Sequence, residues 1–308
     1  MSDRWPDPPP LFDLTEAERS PGSSRTASAR VRRASVAQEP AIGPESTAAA
    51  SGSMPQAASP AAASPTDSST APLPDTHPVG SLLGSVAVFD LETTGVDVEN
   101  DRIVTAFVGV VDDEGQVGRT SSWIADPGIE IPDAAAAVHG VSTERARAEG
   151  RPAGEVVAEI VETLRLLIAE NIPVVAYNAA FDLSLLRHEA VRHAVPPLDA
   201  PRPIIDPLVI DKAVDRYRKG KRTLDRAAEH YGVALDDAHE ASADAIAAGR
   251  IAIAIAARFA DELPDSLDAL HDQQIVWARE QAESLTEYLV GVGRLEPSEG
   301  LDGTWPVR

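Results

Sequence analysis

The sequence predicts an α/β fold, in which a mixed five-stranded sheet is flanked by helices. Three apolar segments, 85–95, 102–112 and 118–126, follow one another with little more than turn residues between them, as consecutive strands do. Later segments with helical spacing alternate with short apolar segments, which is typical of strands connected through helices. A Rossmann domain would alternate from its start and would carry a glycine-rich first turn, and the sequence has neither feature.

Each later element is assigned from the spacing of its apolar residues. Between 155 and 170 they recur every three or four positions, which predicts a helix, whereas "IPVVAY" (172–177) predicts a short buried strand. The next helix begins at Asn178, a residue type that caps helices, and "RPIIDPLVI" (202–210) predicts the fifth strand. Further helices are predicted at 223–231, 242–259 and 264–292, and a loop rich in Pro and Gly at 126–142.

The chain divides into three regions by composition. Residues 1–80 are dominated by Ala, Ser and Pro and lack the apolar bulk that offsets chain entropy, so we predict a disordered tail. Residues 81–260 hold the predicted sheet and its helices and form a domain of ordinary size. Residues 261–308 contain the last predicted helix, whose apolar face would pack either on the domain or on a second copy of the chain.

Composition also limits the class of protein. The chain has no cysteine, which excludes disulfides and thiolate metal sites. It shows no signal peptide and no apolar run near the ~20 residues of a membrane span, so we expect a soluble, cytoplasmic protein with no membrane partner. The formal net charge of −22 argues against a protein that coats nucleic acid non-specifically.

The cations of this acidic chain are concentrated in one segment. Every lysine lies between Lys212 and Lys221, and "RYRKGKR" (216–222) is strongly basic. Such a run is either a solvated loop or a local contact for phosphate made by Lys219, Lys221 and Arg222. The sequence leaves both interpretations open.

Four carboxylates stand at predicted strand ends and helix starts. Asp90 and Glu92 end the first strand and, because a strand has a period of two, project from the same face. Asp182 follows the fourth strand near a helix start, and Asp244 lies in the first turn of a helix that Ser242 is expected to cap. Strand ends and helix starts meet at one edge of such a sheet, so we expect the four carboxylates to converge.

Converging carboxylates require cations, and oxygen-only ligation suits Mg²⁺ or Mn²⁺. Four carboxylates are what a pair of ions ~3.5–4 Å apart uses to hydrolyse a phosphodiester. His239, in the loop before Asp244, is the side chain suited to take a proton from the attacking water near neutral pH.

These motifs resemble those of the DEDDh 3′→5′ exonucleases, the family of the epsilon proofreading subunit of bacterial DNA polymerase III. "FDLETTG" (89–95), "NAAFD" (178–182) and "HEASADA" (239–245) match its three motifs in order, and "VHGVS" (138–142) resembles the loop between the first two. The resemblance spans about residues 84–257 and implies a ribonuclease H-like fold.

The resemblance also implies a role for each catalytic residue. Asp90 would contact both divalent ions, and Glu92 and Asp244 would contact the ion next to the attacking water. Asp182 would act on the second ion through water, and His239 would deprotonate the attacking water.

A substrate site and a product follow from the same resemblance. Leu91, Thr93 and Thr94 would hold the terminal nucleotide, with His139 and Asn178 nearby. The product would be a nucleoside 5′-monophosphate released from the 3′ end of single-stranded DNA.

Other functions remain open on the sequence alone. The same site serves enzymes that trim the 3′ ends of RNA or oligoribonucleotides, and a non-catalytic nucleic-acid-binding scaffold belongs to a different class altogether. Proofreading would require a DNA polymerase or replisome partner in trans, whereas repair or turnover would not.

Overall fold

The structure is a computed structural model of the 308-residue chain, and it describes residues 82–235 and 240–308. The predicted disordered tail, 1–80, therefore lies outside the described residues. Within the described part, no helix is both long enough and apolar enough to cross a membrane.

A mixed six-stranded sheet with the order β4-β3-β2-β1-β5-β6 forms the centre of the molecule. The first three strands pair antiparallel, and β5 and β6 continue the sheet in parallel to β1, as the predicted meander and helical crossovers require. The strands are β1 (Val86–Thr93), β2 (Ile103–Val111), β3 (Val117–Asp126), β4 (Arg151–Pro152), β5 (Val174–Val175) and β6 (Ile204–Ile205).

Eight helices occur in the described residues, and most of them cover the two faces of the sheet. One core lies between the sheet and the helices α3 and α4, and the other lies between the sheet and α5, α6 and α7. The helices are α1 (Asp133–His139), α2 (Thr143–Glu149), α3 (Ala153–Ala169), α4 (Ala179–Arg192), α5 (Pro207–Val214), α6 (Leu224–Tyr231), α7 (Ala241–Arg258) and α8 (Leu267–Gly291).

Two predictions about the sheet and its connections are wrong. The sheet has six strands rather than five, because Arg151 and Pro152 pair in parallel with the end of β3. The predicted loop at 126–142 contains α1 and ends at Ser142, which caps α2 by accepting a hydrogen bond from the Arg145 N–H. Both helices have seven residues, too few for apolar periodicity to distinguish them from a loop.

The fifth predicted strand, 202–210, is also mostly wrong. Only Ile204 and Ile205 pair as a strand, and α5 begins directly after them. Asp206 caps that helix by accepting from the Leu208 N–H, and Pro207 occupies its first turn. An Asp-Pro pair at the end of an apolar run is a helix-start signal that strand periodicity conceals.

Of the two interpretations of the last helix, the structure shows packing on the domain. α8 contacts α5 and β6, with Leu270 and Gln274 fully buried. His271 Nδ1 accepts a hydrogen bond from the Ile204 N–H, and the Gln274 amide bonds to Ile204 O and to the Asp206 N–H. α8 thus supplies β6, the last strand of the sheet, with the hydrogen bonds that a further strand would otherwise make.

One glycine determines how closely α7 approaches β1. A Cβ atom at Gly249 would lie 2.4 Å from Cγ1 of Val88, which is an overlap. The φ of Gly249 is not in the left-handed region, so space and not backbone conformation requires glycine here. The close approach places the first turn of α7, which carries Asp244, against the carboxyl end of β1.

We predict that Gly249→Ala lowers the free energy of unfolding by about 1–3 kcal/mol, because the added methyl group overpacks the contact between α7 and β1. Urea unfolding measures the change. Gly291→Ala is the matched control, since Gly291 is the last residue of α8 and its Cβ would meet nothing within 4 Å. Equal effects of the two substitutions would contradict the prediction.

Candidate active site

Three of the predicted carboxylates meet at the end of β1. Asp90, Glu92 and Asp244 each offer an oxygen atom, and these atoms all lie within 4.8 Å of one another. Glu92 is buried and the other two are half-buried. Three like charges this close repel one another strongly, so the arrangement favours a bound cation.

Local structure explains why these three side chains meet. Asp90 and Glu92 are two residues apart in β1 and project from one face of it, next to α7. Asp244 lies in the first turn of α7, where the helix dipole stabilises a carboxylate by roughly 0.3–1 kcal/mol. The predicted cap at Ser242 is wrong, because the helix begins at Ala241 and Glu240 occupies the N-cap position.

Asp182 lies beside β1 but outside this group of three. Its Oδ1 accepts a hydrogen bond of 3.1 Å from the Leu91 N–H, and its side chain is buried. Leu91 stands between Asp90 and Glu92 in β1, so the contact ties the start of α4 to the segment that carries both carboxylates. The structure therefore brings Asp182 to the same strand end, as the sequence predicts.

The two threonines expected to hold a nucleotide are buried and support the turn after β1. Thr93 Oγ1 donates to Gly95 O, and Thr94 Oγ1 donates to Asp101 and accepts from the Arg102 N–H. These bonds fix the course of the backbone just beyond the carboxylates.

The remaining predicted residues have different outcomes. His139 ends α1, and its Nδ1 accepts from the Val141 N–H at 3.2 Å. Asn178 occupies the N-cap position of α4, as predicted, in the left-handed region with φ 65°, but its side chain makes no capping hydrogen bond. His239, the expected general base, lies outside the described residues.

Asp206 takes the capping role that the sequence assigned to Asn178. Its two carboxylate oxygens accept from the N–H groups of Asn178 (3.0 Å) and Ala179 (2.9 Å). Burial raises the pKa of the Asp206 carboxyl above its ordinary value, while the N–H donors around it act to lower the pKa. Sequence reasoning missed this residue because its apolar flanks suggested a strand interior.

Some cations of the basic segment 216–222 form ion pairs inside the protein. Arg222 is 8% exposed, and its guanidinium donates to the fully buried Asp211 at 2.7 Å; Arg218 pairs with the same carboxylate. Tyr177 Oη donates to Arg222 O at 2.7 Å, and burial raises the pKa of Tyr177 well above its usual value, which keeps this donor protonated. Arg222 therefore stabilises the fold, which argues against a phosphate contact by this residue, whereas Lys219 is exposed.

The donor set fits a hard divalent cation. Carboxylate oxygens are the ligands that Mg²⁺ and Mn²⁺ prefer, and two ligands on opposite sides of Mg²⁺ lie ~4.2 Å apart, twice the ~2.1 Å bond. The spacing of the three oxygens, within 4.8 Å, is close to that limit. Asp90, Glu92 and Asp244 can therefore hold an ion with only small side-chain adjustments.

Comparison with protein families and curated proteins points to nucleases. The family model RNase_T, described as Exonuclease, matches residues 87–252, more than half of the chain. DNA polymerase III PolC-type from Streptococcus thermophilus is 31% identical over 166 residues, which is 53% of this chain and 10% of that protein. The same polymerase from Clostridium perfringens is 28% identical over 169 residues, covering 53% and 11%. The chain spans about a tenth of the length of these curated relatives.

Solved structures share the fold. Escherichia coli exonuclease I in complex with a dA16 oligonucleotide superposes with a TM-score of 0.52 at 20% identity, covering 64% of this chain and 44% of that one. The zinc-bound form of an E. coli exonuclease I–single-stranded DNA complex gives a TM-score of 0.50 at 21% identity, covering 57% and 41%. These matches confirm the predicted ribonuclease H-like fold.

We predict that Mg²⁺ raises the melting temperature of the protein and that Asp244→Asn removes most of this increase, because we expect the ion to bind where the carboxylates converge. In EDTA the variant should be more stable than the unchanged protein by on the order of 1–3 kcal/mol, since one repelling charge is gone. Thermal unfolding with and without Mg²⁺ measures both effects.

Asp113→Asn is the control for this experiment. Asp113 is exposed in the turn between β2 and β3, away from the three carboxylates. Its substitution by Asn removes one negative charge, as Asp244→Asn does, but from the surface. A response to Mg²⁺ that is the same in all three proteins would show that the ion does not bind at this site.

Proposed function

The chain belongs to the RNase_T exonuclease family, and from this membership we propose that it is a metal-dependent 3′→5′ exonuclease that acts on single-stranded DNA. The observation that carries the proposal is the meeting of Asp90, Glu92 and Asp244 oxygens within 4.8 Å. The anchoring of Asp182 on the Leu91 N–H adds a fourth carboxylate beside the same strand end. The substrate of a nuclease is an anion, and cations held by such oxygen ligands would neutralise its charge.

DNA is the proposed substrate because of the proteins that this chain resembles. The curated relatives are DNA polymerases, and the structural neighbours were solved with single-stranded DNA oligonucleotides. In those polymerases the similar region is about a tenth of the protein. If this chain also serves replication, a DNA polymerase or replisome component would be its partner.

The carboxylates would hold two divalent ions, Mg²⁺ or Mn²⁺. Asp90 is proposed to contact both ions, Glu92 and Asp244 the first, and Asp182 the second through water. When bound, the ions would lower the pKa of the attacking water and stabilise the charge that develops on the phosphate. The carboxylates would fix the ions in place through β1 and α7, whose positions the sheet and the contact at Gly249 determine.

His239 is the proposed general base. It would take a proton from the water that attacks the last phosphorus atom of the strand. The bond from phosphorus to the 3′ oxygen of the preceding nucleotide breaks, and that oxygen takes a proton from solvent. The products are a nucleoside 5′-monophosphate and a strand shortened by one nucleotide with a free 3′-hydroxyl.

The terminal nucleotide would lie on the turn that follows β1. Thr93 and Thr94 would act through the backbone, since their hydroxyl groups already bond within the turn. Leu91 would also act through its backbone, because its side chain is 2% exposed and packs in the core, with His139 and Asn178 completing the proposed nucleotide site.

We predict that the protein shortens a 5′-labelled single-stranded DNA from its 3′ end in Mg²⁺ or Mn²⁺, and that EDTA stops the reaction. Asp90→Asn should lower kcat by about 10³-fold or more, because it removes a ligand proposed to contact both ions, an effect of several kcal/mol. A gel that resolves single nucleotides measures the loss, with Asp113→Asn as the matched control of unchanged activity.

The outcomes separate the proposal from its alternatives. An RNA of the same sequence, degraded faster than the DNA, would identify an exoribonuclease. Failure to cleave either strand, with the protein folded and stabilised by Mg²⁺, would mean that the carboxylates bind metal in a non-catalytic scaffold. Label released at once as a mononucleotide would indicate 5′→3′ polarity, and labelled internal fragments that appear without stepwise shortening would indicate an endonuclease.

A further inference from the structure

The last residues of the chain pack against the helix that carries Asp182. This segment, 301–308, starts at α8, where the Leu301 N–H donates to Thr286 Oγ1 at 3.0 Å. It ends at α4, where the Arg308 N–H donates to Ser184 Oγ at 2.8 Å. Between these two points Trp305 is 5% exposed and packs with the core that includes α3 and α4.

The Trp305 side chain reaches the carboxylate that shapes the start of α4. Its Nε1 donates to Asp206 Oδ2 at 3.3 Å, and its ring lies 5.0 Å from that of His271 on α8. The same Oδ2 accepts from the Ala179 N–H, so one oxygen atom connects the 301–308 segment with the first residue of α4.

Within the described residues, the hydrogen bonds that the Asp206 carboxylate accepts all come from N–H groups. It accepts from Asn178, Ala179, Leu208 and Trp305, and none of these donors is a cation. A buried carboxylate without a cation is costly, and an apolar residue would pack there at lower cost. The carboxylate has a clear use, however: it holds Asn178 in the left-handed conformation from which α4 starts.

From α4 the connection continues to the candidate active site. Asp182 lies in the first turn of α4, three residues after Ala179, and its Oδ1 holds the Leu91 N–H between Asp90 and Glu92. A shift of the helix start would therefore move Asp182 relative to β1. Trp305 and α8 lie beyond residue 252, where the family match ends, so this chain supports its site with residues outside the matched region.

We propose that Trp305 and Asp206 are positioning residues for Asp182, and that the 301–308 segment holds the start of α4 in the geometry that catalysis needs. The proposal rests on the proposed function for its catalytic part. The contact between Asp182 and the Leu91 N–H provides a second readout, which requires no activity.

The test introduces Trp305→Phe into the 308-residue chain, a substitution that keeps an aromatic ring next to His271 and removes the N–H that donates to Asp206. Trp123→Phe is the matched control, because it also removes an indole N–H bonded to a carboxylate, that of Glu159 at 2.9 Å, and Trp123 lies on β3, towards the sheet edge opposite to β6. Amide hydrogen exchange is followed at Leu91, with Val88 in the same strand as the reference for global opening.

Trp305→Phe should speed exchange at Leu91 about tenfold relative to Val88, the effect of losing about one hydrogen bond. It should also lower kcat on single-stranded DNA about tenfold or more with KM nearly unchanged, because misplaced catalytic groups affect the transition state more than binding. Trp123→Phe should do neither.

Unchanged exchange at Leu91 in Trp305→Phe would overturn the proposal, as would faster exchange confined to Asn178 and Ala179 with normal kcat. If the unchanged protein cleaves no nucleic acid, the proposed function fails, but exchange at Leu91 still decides whether the segment positions Asp182. The two failures are therefore distinguishable.

Discussion

Crowded negative charge at the end of β1 is the constraint on which the rest of the structure depends. Oxygens of Asp90, Glu92 and Asp244 lie within 4.8 Å of one another, and Glu92 is 2% exposed. Two carboxylates at such a separation repel by roughly 3–4 kcal/mol at an effective dielectric constant of 20. Flexible segments would separate under this force, so the three residues must stand on elements held from elsewhere. They stand on an interior strand of the sheet and on the first turn of an 18-residue helix packed against it.

Buried carboxylates outside the group of Asp90, Glu92 and Asp244 fix the segments that surround it. Asp182 accepts from the Leu91 N–H, and Asp206 from the N–H groups at the start of α4. Glu189 accepts from the Ile103 N–H at the start of β2, and Asp211 binds Arg222. Each of these carboxylates holds a backbone group or a side chain in one conformation. The free energy of burying the carboxylate opposes this stabilisation. Acidic residues thus have two kinds of position in this protein: three converge at the end of β1, and others orient the backbone around them.

The sequence predicted the family, the fold and the convergence of Asp90, Glu92 and Asp244 because the signals for them are local and occur in a fixed order. The period of two in "VFDLE" places Asp90 and Glu92 on one face, and the family match at 87–252 confirms the resemblance inferred from the motifs. The errors have a different origin. Asn is a residue type whose side chain often caps a helix. The N–H groups at the start of α4 nevertheless bond to Asp206, which lies 28 residues after Asn178 in the chain. Arg222 has the sequence context of a surface cation, but in the folded protein it bonds to Asp211 and Tyr177. Periodicity in one segment cannot reveal a partner that only the folded chain brings near.

The surface charge of the protein is relevant to how a nuclease this acidic could meet DNA. Many exposed arginines of the described residues pair with carboxylates of the same surface, as Arg119 does with Glu170 and Arg165 with Glu162. Such pairs add little stability, ~0–1 kcal/mol each, but they leave few cations to attract a phosphate backbone. Against a net charge of −22, long-range attraction of DNA is weak, and repulsion extends over the ~8–10 Å Debye length. Binding of the proposed DNA substrate would then depend on short-range contacts, foremost the cations that the three carboxylates would hold. Such a surface suits a protein that grips the last nucleotides of one strand, because an end offers few phosphates to repel and only those near the ions need to be neutralised.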